Sequence, residues 1–170
     1  VKENGLKVCM ATSTGAHPAW MARKYPDVLR VEHNGMKRKF GARHNSCPNS
    51  PNYRKYSAAL VEKIAERYKD YDNIVAWHIN NEFGGWCYCE NCEKAFRVWL
   101  QKKYGTLDEL NRVWNTAFWS HTMYDWDDVV ACNMLSEEFL WDGQIRTNFQ
   151  GISLDYNRFN SDSMLECFNI

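Results

Sequence analysis

Apolar residues run together at Leu6-Lys7-Val8-Cys9-Met10-Ala11-Thr12 and again at Ile74-Val75-Ala76-Trp77-His78-Ile79. Short apolar runs of this kind, the first ended by Ser13-Thr14-Gly15, predict buried strands. Ahead of the second run, Tyr53, Tyr56, Leu60, Ile64 and Tyr68 recur at helical spacing. They predict a helix that opens at Pro51 with Ser50 as its N-cap and ends near Asp70. Strand, helix and strand in that order form a βαβ unit, so the two strands should be parallel and joined by a right-handed crossover. The stretch from His17 to Pro51 holds all four prolines and little periodicity beyond a short helix at Ala19 to Lys24. A loop of this length in a compact domain is usually functional or disordered.

Further along, Phe96, Trp99, Leu100 and Tyr104 mark an amphipathic helix closed by Gly105. Thr106-Leu107-Asp108-Glu109 reads as a capping box opening another helix that runs to about Trp114. Asn115 to Asp128 is aromatic-rich and irregular, and Ser153 to Phe168 predicts a last helix. Two parallel strands cannot close a sheet, and an all-parallel sheet needs both faces covered. The pattern is therefore α/β, with a larger barrel or an open doubly wound sheet as the two architectures that would complete it. The chain begins at Val1 and enters a strand almost at once, which reads as part of a longer protein.

Composition narrows the partners. Lys and Arg total 21 and Asp and Glu total 21, without long runs of one sign, so no footprint for nucleic acid or an anionic membrane is present. No stretch approaches the roughly 20 apolar residues of a membrane span. No signal peptide is seen, so the reading is cytoplasmic, although a chain lacking its true N-terminus would not show one. Eight tryptophans are more than a core of this size needs; aromatic faces suit sugars, but core packing also uses them. Seven cysteines exclude a fully paired disulfide framework. Cys87-x-Cys89-x-x-Cys92 crowds three thiols in a way that suits a metal better than disulfides. Cys9, Cys132 and Cys167 read as small buried hydrophobes.

The second strand ends in Asn80-Asn81-Glu82, followed by Gly84-Gly85. Residues at the C-terminal ends of parallel strands face the active site in barrel folds, which makes Glu82 a candidate acid/base. A carboxyl in that role would protonate a leaving oxygen and later deprotonate water. On its own the pair also reads as a helix-initiating or ion-pairing glutamate. His78, inside the strand, reads as hydrogen-bonded core. His17, His33, His44 and His121 fall on loops, where His17 and His44 could line a pocket. Trp119 could stack on a sugar or simply pack.

Trp77-His78-Ile79-Asn80-Asn81-Glu82-Phe83-Gly84, Cys87-Tyr88-Cys89 with Cys92, Phe96-Arg97-Val98-Trp99-Leu100, Tyr104 to Asn111 and Phe118-Trp119-Ser120 resemble the glycoside hydrolase family 42 β-galactosidases. Ala11-Thr12, Pro18-Ala19-Trp20, Tyr25-Pro26-Asp27, Gly41-Ala42-Arg43 and Cys47-Pro48-Asn49-Ser50-Pro51 are similar to the same family, in the same order. The resemblance implies that residues 1–170 are a partial catalytic domain, part of a (β/α)8 TIM barrel, with no complete second domain. Val8 to Thr12 would be its third strand and Ile74 to Asn80 its fourth. It implies hydrolysis of terminal β-D-galactosides by double displacement, with Glu82 as acid/base. Asn81 would bind near the 2-hydroxyl, and Arg43 would belong to the galactose pocket.

Some members of that family bind zinc through one cysteine of the long loop and three beyond the acid/base. Cys47, Cys87, Cys89 and Cys92 match those positions and would form a structural zinc site, pinning the loop that carries Arg43. A retaining enzyme needs a second carboxylate about 5 Å from the first. In the family it ends the seventh strand, and Glu137, Glu138 and Glu166 lie in the wrong part of the pattern to be it. The 170-residue stretch alone is therefore expected to be inactive. Full-length members are often homotrimers. Two alternatives stay open: a barrel glycosidase for another β-glycoside, and a zinc-stabilised carbohydrate-binding module without catalysis.

Overall fold

In a computed structural model, which describes residues 1–147 and 149–170, the first strand is β1 (Val8–Ala11). A short helix α1 (Ala19–Lys24) and a 3₁₀ turn at Pro26–Val28 follow, both within the expected long loop. Helix α2 (Pro51–Tyr68) leads into β2 (Ile74–His78). Ser50 caps α2 as expected: its Oγ accepts from Tyr53 N at 3.1 Å, and the same hydroxyl donates to Asp27. β1 and β2 pair in parallel, with Cys9 opposite Ala76, Met10 opposite Trp77 and Ala11 opposite His78. The βαβ unit is present as the sequence pattern predicts.

The strands differ from expectation in one respect. Apart from the half-buried Val8, Met10 and Ile74, their residues are exposed, Cys9 and His78 included. Cys9 is thus not a buried hydrophobe, and His78 is not core. The cause is topological: among the described residues no third strand pairs with β1 or β2, so side chains alternating to either face find little cover. Of the other two cysteines read as buried, Cys132 is buried and Cys167 is half-buried.

The C-terminal half is helical and closed. Helix α3 (Glu90–Tyr104) buries Cys92, Phe96 and Leu100 at four-residue intervals, and α4 (Leu107–Trp114) buries Leu110 and Trp114. After a hairpin comes α5 (Gln150–Phe168), which buries Ile152, Asp155, Tyr156, Phe159, Asn160 and Ser163. These faces meet around Phe96, whose ring lies 4.9 Å from that of Tyr156 and 5.2 Å from that of Phe159. Burial of each such large apolar side chain contributes about 1.5–3 kcal/mol. Gly151 lets α5 approach α4, since a Cβ there would stand 2.8 Å from Trp114 Cδ1. Buried Asp155 accepts from Tyr104 Oη, Trp114 Nε1, Arg158 and Lys103, so its charge is fully partnered.

Thr106 caps α4 by accepting from Glu109 N, but the second half of the expected capping box is replaced. The Glu109 carboxylate turns to a two-point contact with Arg112 at 2.7 and 2.8 Å instead. A hairpin of β3 (Glu138–Trp141) and β4 (Gln144–Thr147) was not expected. Asp142 and Gly143 make its turn, both at positive φ (49° and 72°), the conformation that a two-residue hairpin loop requires. No helix among the described residues is long and apolar enough to cross a membrane.

Candidate active site and thiol cluster

Thr12 joins the C-terminal ends of the two parallel strands. Its N–H donates to His78 O at 3.1 Å, and its Oγ1 accepts from Asn80 N at 2.9 Å. Asn80 then takes a left-handed conformation (φ 58°), and its Oδ1 accepts from Asn81 N at 2.8 Å. Glu82 is left-handed as well (φ 42°), so the carboxylate stands on a strained turn immediately beyond a parallel strand. Gly15 approaches this turn closely: a Cβ there would lie 3.0 Å from Asn80 Oδ1.

The long loop folds back onto the turn. His44 N donates to Gly15 O at 2.9 Å, and the neighbouring Arg43 brings Nη2 within 2.9 Å of Glu82 Oε2. Their side chains are 61% and 69% exposed, so this ion pair adds little to stability and its partners are free to meet a ligand. Arg43 and Glu82, distant in sequence, are thus brought together. Asn81 lies between Asn80 and Glu82 on the same turn.

His44 also lines a small cavity, of about 30 Å³, with Arg30, Ser46, Tyr53, Asn80 and Gly84. That volume is on the order of one water molecule. Burial, followed by the charges of Arg43 and Arg30, holds the His44 pKa below its ordinary value despite Glu82. His17 is buried and shares a 2.7 Å hydrogen bond with Ser46 Oγ; burial lowers its pKa too. Tyr53 donates to Thr14 O at 2.8 Å, and burial pushes its phenol up to about 12. His33 and His121 are engaged elsewhere, paired with Glu138 and Glu137, and Glu166 with Arg54. Trp119 is well exposed at φ 52°.

The four cysteines named from the sequence converge. Their sulfurs all lie within 4.8 Å of one another, with Cys47, Cys87 and Cys92 buried and Cys89 partly so. Sγ of Cys47 is 3.5 Å from Cys92 and 3.4 Å from Cys89, and Cys89 is 3.9 Å from Cys92. Four thiolates at about 2.3 Å from a central zinc would stand about 3.8 Å apart, so the donor set and its spacing fit a closed tetrahedral site. Asn49 Nδ2 and Val31 N add N–H···S contacts at 3.4 and 3.5 Å. Close contacts with Cys47, Cys87 and Cys92 hold the Cys89 thiol below its ordinary value. The Cys47 thiol is pushed up by its contacts with Cys87, Cys89 and Cys92 and by burial.

Arg30 is the residue that sequence reasoning missed. It is 7% exposed, and its Nη2 donates to Gly84 O at 3.0 Å, just past Glu82. An arginine in an irregular loop carries no pattern that would single it out.

The family model for β-galactosidases of glycoside hydrolase family 42 matches residues 1–170. The β-galactosidase BgaP of Planococcus sp. (strain L4) is 63% identical over 168 residues, covering 99% of this chain and 24% of that protein. The β-galactosidase LacZ of Lactobacillus acidophilus is 51% identical across 100% of this chain and 25% of its own length. Among solved structures, the β-galactosidase from Bacillus circulans sp. alkalophilus superposes with a TM-score of 0.91 at 68% identity, over 98% of this chain and 24% of that one. The enzyme from the psychrophilic Marinomonas ef1 still reaches 0.86 at 30% identity, over 98% and 24%. The fold is that of part of a mixed α/β domain. The chain belongs to glycoside hydrolase family 42, and it spans about a quarter of the length of the relatives it matches.

Proposed function

We propose that the protein carrying this chain is a retaining β-galactosidase and that these residues supply the acid/base half of its site. The observation that carries the reading is the Glu82 turn: a carboxylate beyond the C-terminal end of a parallel strand, met by Arg43 at 2.9 Å, in a family 42 chain. Glu82 would protonate the glycosidic oxygen as the aglycone departs and then take a proton from the attacking water. Arg43 and Asn81 would hold galactose hydroxyls beside it. The exposed Arg43–Glu82 pair leaves both groups able to change partners as a sugar enters.

The exposed strands suit the same reading. β1 and β2 would be the third and fourth strands of a (β/α)8 barrel, their apolar side chains covered by the rest of it. Double displacement also needs a nucleophilic carboxylate about 5 Å from Glu82. Glu137 and Glu138 are little exposed and paired with His121 and His33, which supports placing the nucleophile outside these residues and expecting the 170-residue stretch alone to be inactive. The four-cysteine site would hold zinc in a structural role, since four thiolates leave no position for substrate.

The test uses the full-length protein. Glu82→Gln should lower kcat/KM for a galactoside with a poor leaving group by about 10²- to 10⁴-fold; near wild-type turnover would overturn the assignment. A panel of nitrophenyl glycosides decides the sugar, with preference for a non-galactosyl substrate pointing to another β-glycosidase. Elemental analysis of protein purified without added metal checks the zinc: about one ion per chain is expected for a closed four-thiolate site.

A further inference from the structure

Beyond Glu82 the turn has little to hold it. Past His78 the backbone leaves the sheet, and regular structure resumes only at Glu90. Among the described residues, a single hydrogen bond reaches the backbone of residues 83–86, the one from Arg30 Nη2 to Gly84 O at 3.0 Å. Gly85 lies directly over the same guanidinium. A Cβ at that position would come within 2.2 Å of Arg30 Nη1 and 3.0 Å of its Cζ, and the residue is left-handed (φ 72°). The backbone conformation there favours glycine, and any Cβ would have to push the guanidinium aside.

Arg30 is itself held from several directions. Its N–H donates to Asn45 O at 2.9 Å, and its carbonyl accepts from Arg38 N at 2.8 Å. On one side, Val28 O accepts from Cys47 N at 2.8 Å; on the other, Val31 N meets Cys87 Sγ and Val31 O accepts from Tyr88 N at 3.0 Å. A buried guanidinium with no carboxylate partner among the described residues is costly, and its planar fork gives a direction that an ammonium does not.

We infer that Arg30 is a positioning residue for the reaction, setting the height and angle of the Glu82 turn through Gly84 and Gly85 from a backbone clamped beside the thiol cluster. This rests on the reading of Glu82 as the acid/base. Arg30 need not touch substrate; it acts through the placement of the carboxyl that protonates the leaving oxygen. Misplacing that carboxyl matters most where the leaving group needs a proton and least where it departs unaided.

The experiment compares kcat/KM of the full-length enzyme for two aryl galactosides, one with an acidic phenol as leaving group and one with unsubstituted phenol. Arg30→Lys keeps the charge and loses the fork; Gly85→Ala pushes the guanidinium aside from the other end. Both should lower kcat/KM for the phenyl galactoside by about 10- to 10²-fold more than for the activated one. The ratio of the two substrates is unaffected by partial unfolding, because both report on the same folded population. Equal losses with both substrates in both variants would overturn the proposal. Glu82→Gln separates the two levels: a changed ratio there with an unchanged ratio in the Arg30 and Gly85 variants overturns the positioning role alone. An unchanged ratio in Glu82→Gln overturns the acid/base reading and the positioning role with it.

Discussion

Along α3, residues 92, 96 and 100 are fully buried, whereas on β2 Val75 and Trp77 stand 63% and 40% exposed. Both segments are rich in apolar side chains. The difference lies in what the chain offers as a partner. Helices α4 and α5 return to cover α3, so the helical half completes its own core; strands β1 and β2 have only each other. A helix can be satisfied by its neighbours in sequence, while a parallel strand depends on others that the chain brings from far away. The candidate site sits on the second kind of region and is fastened from the first.

The sharpest way to break that comparison is to release the fastening. Chelation of metal from the full-length protein under reducing conditions should lower Tm by more than any single core truncation, since structural zinc binding in small domains is worth about 10–16 kcal/mol. An unchanged melting curve with metal demonstrably removed would mean that the cysteines merely pack. Next in size is Phe96→Ala, at the centre of the helical core, with an expected loss of about 3–5 kcal/mol in denaturant unfolding. A smaller loss of about 1.5–3 kcal/mol is expected for Val75→Ala in the full-length protein, where barrel neighbours would bury it. A change within about 0.5 kcal/mol would instead mark Val75 as surface and count against closure of the sheet.

The smallest effect concerns pH. His17 is buried and its pKa lies below the ordinary 6.5, so the unfolded chain takes up a proton before the folded one does. Its contribution to stability is fully present above the unfolded value and is lost as pH falls through the folded one. His17→Gln should therefore flatten the decline of Tm between about pH 7 and pH 5. An equally steep decline in that variant would assign the acid sensitivity to other groups.

How much of this was legible in the sequence follows the same division. The α2 cap at Ser50, the parallel pair and the buried stripe of α3 follow from local periodicity and capping chemistry, which act over a few residues. Cys87, Cys89 and Cys92 announce themselves by spacing, and Cys47 joins them through the family resemblance. The β3–β4 hairpin was missed although Asp142-Gly143 is a strong turn signal, because each four-residue strand is too short for alternation to stand out. Exposure of Cys9 and His78 was not legible, since burial of a strand depends on partners and not on its own pattern. The role of Arg30 was hidden for a related reason: its meaning lies in a contact 54 positions away.

The Cys47–Cys92 contact spans 45 positions and encloses both the whole of α2 and the strand leading to Glu82. Loop closure grows only logarithmically with length, at about 0.6 kcal/mol per doubling. The irregular connections between these elements can therefore gain or lose residues at small cost while the knot of thiols stays fixed. Variation in how related chains approach a sugar would be cheap in the loops ahead of that knot and expensive within it.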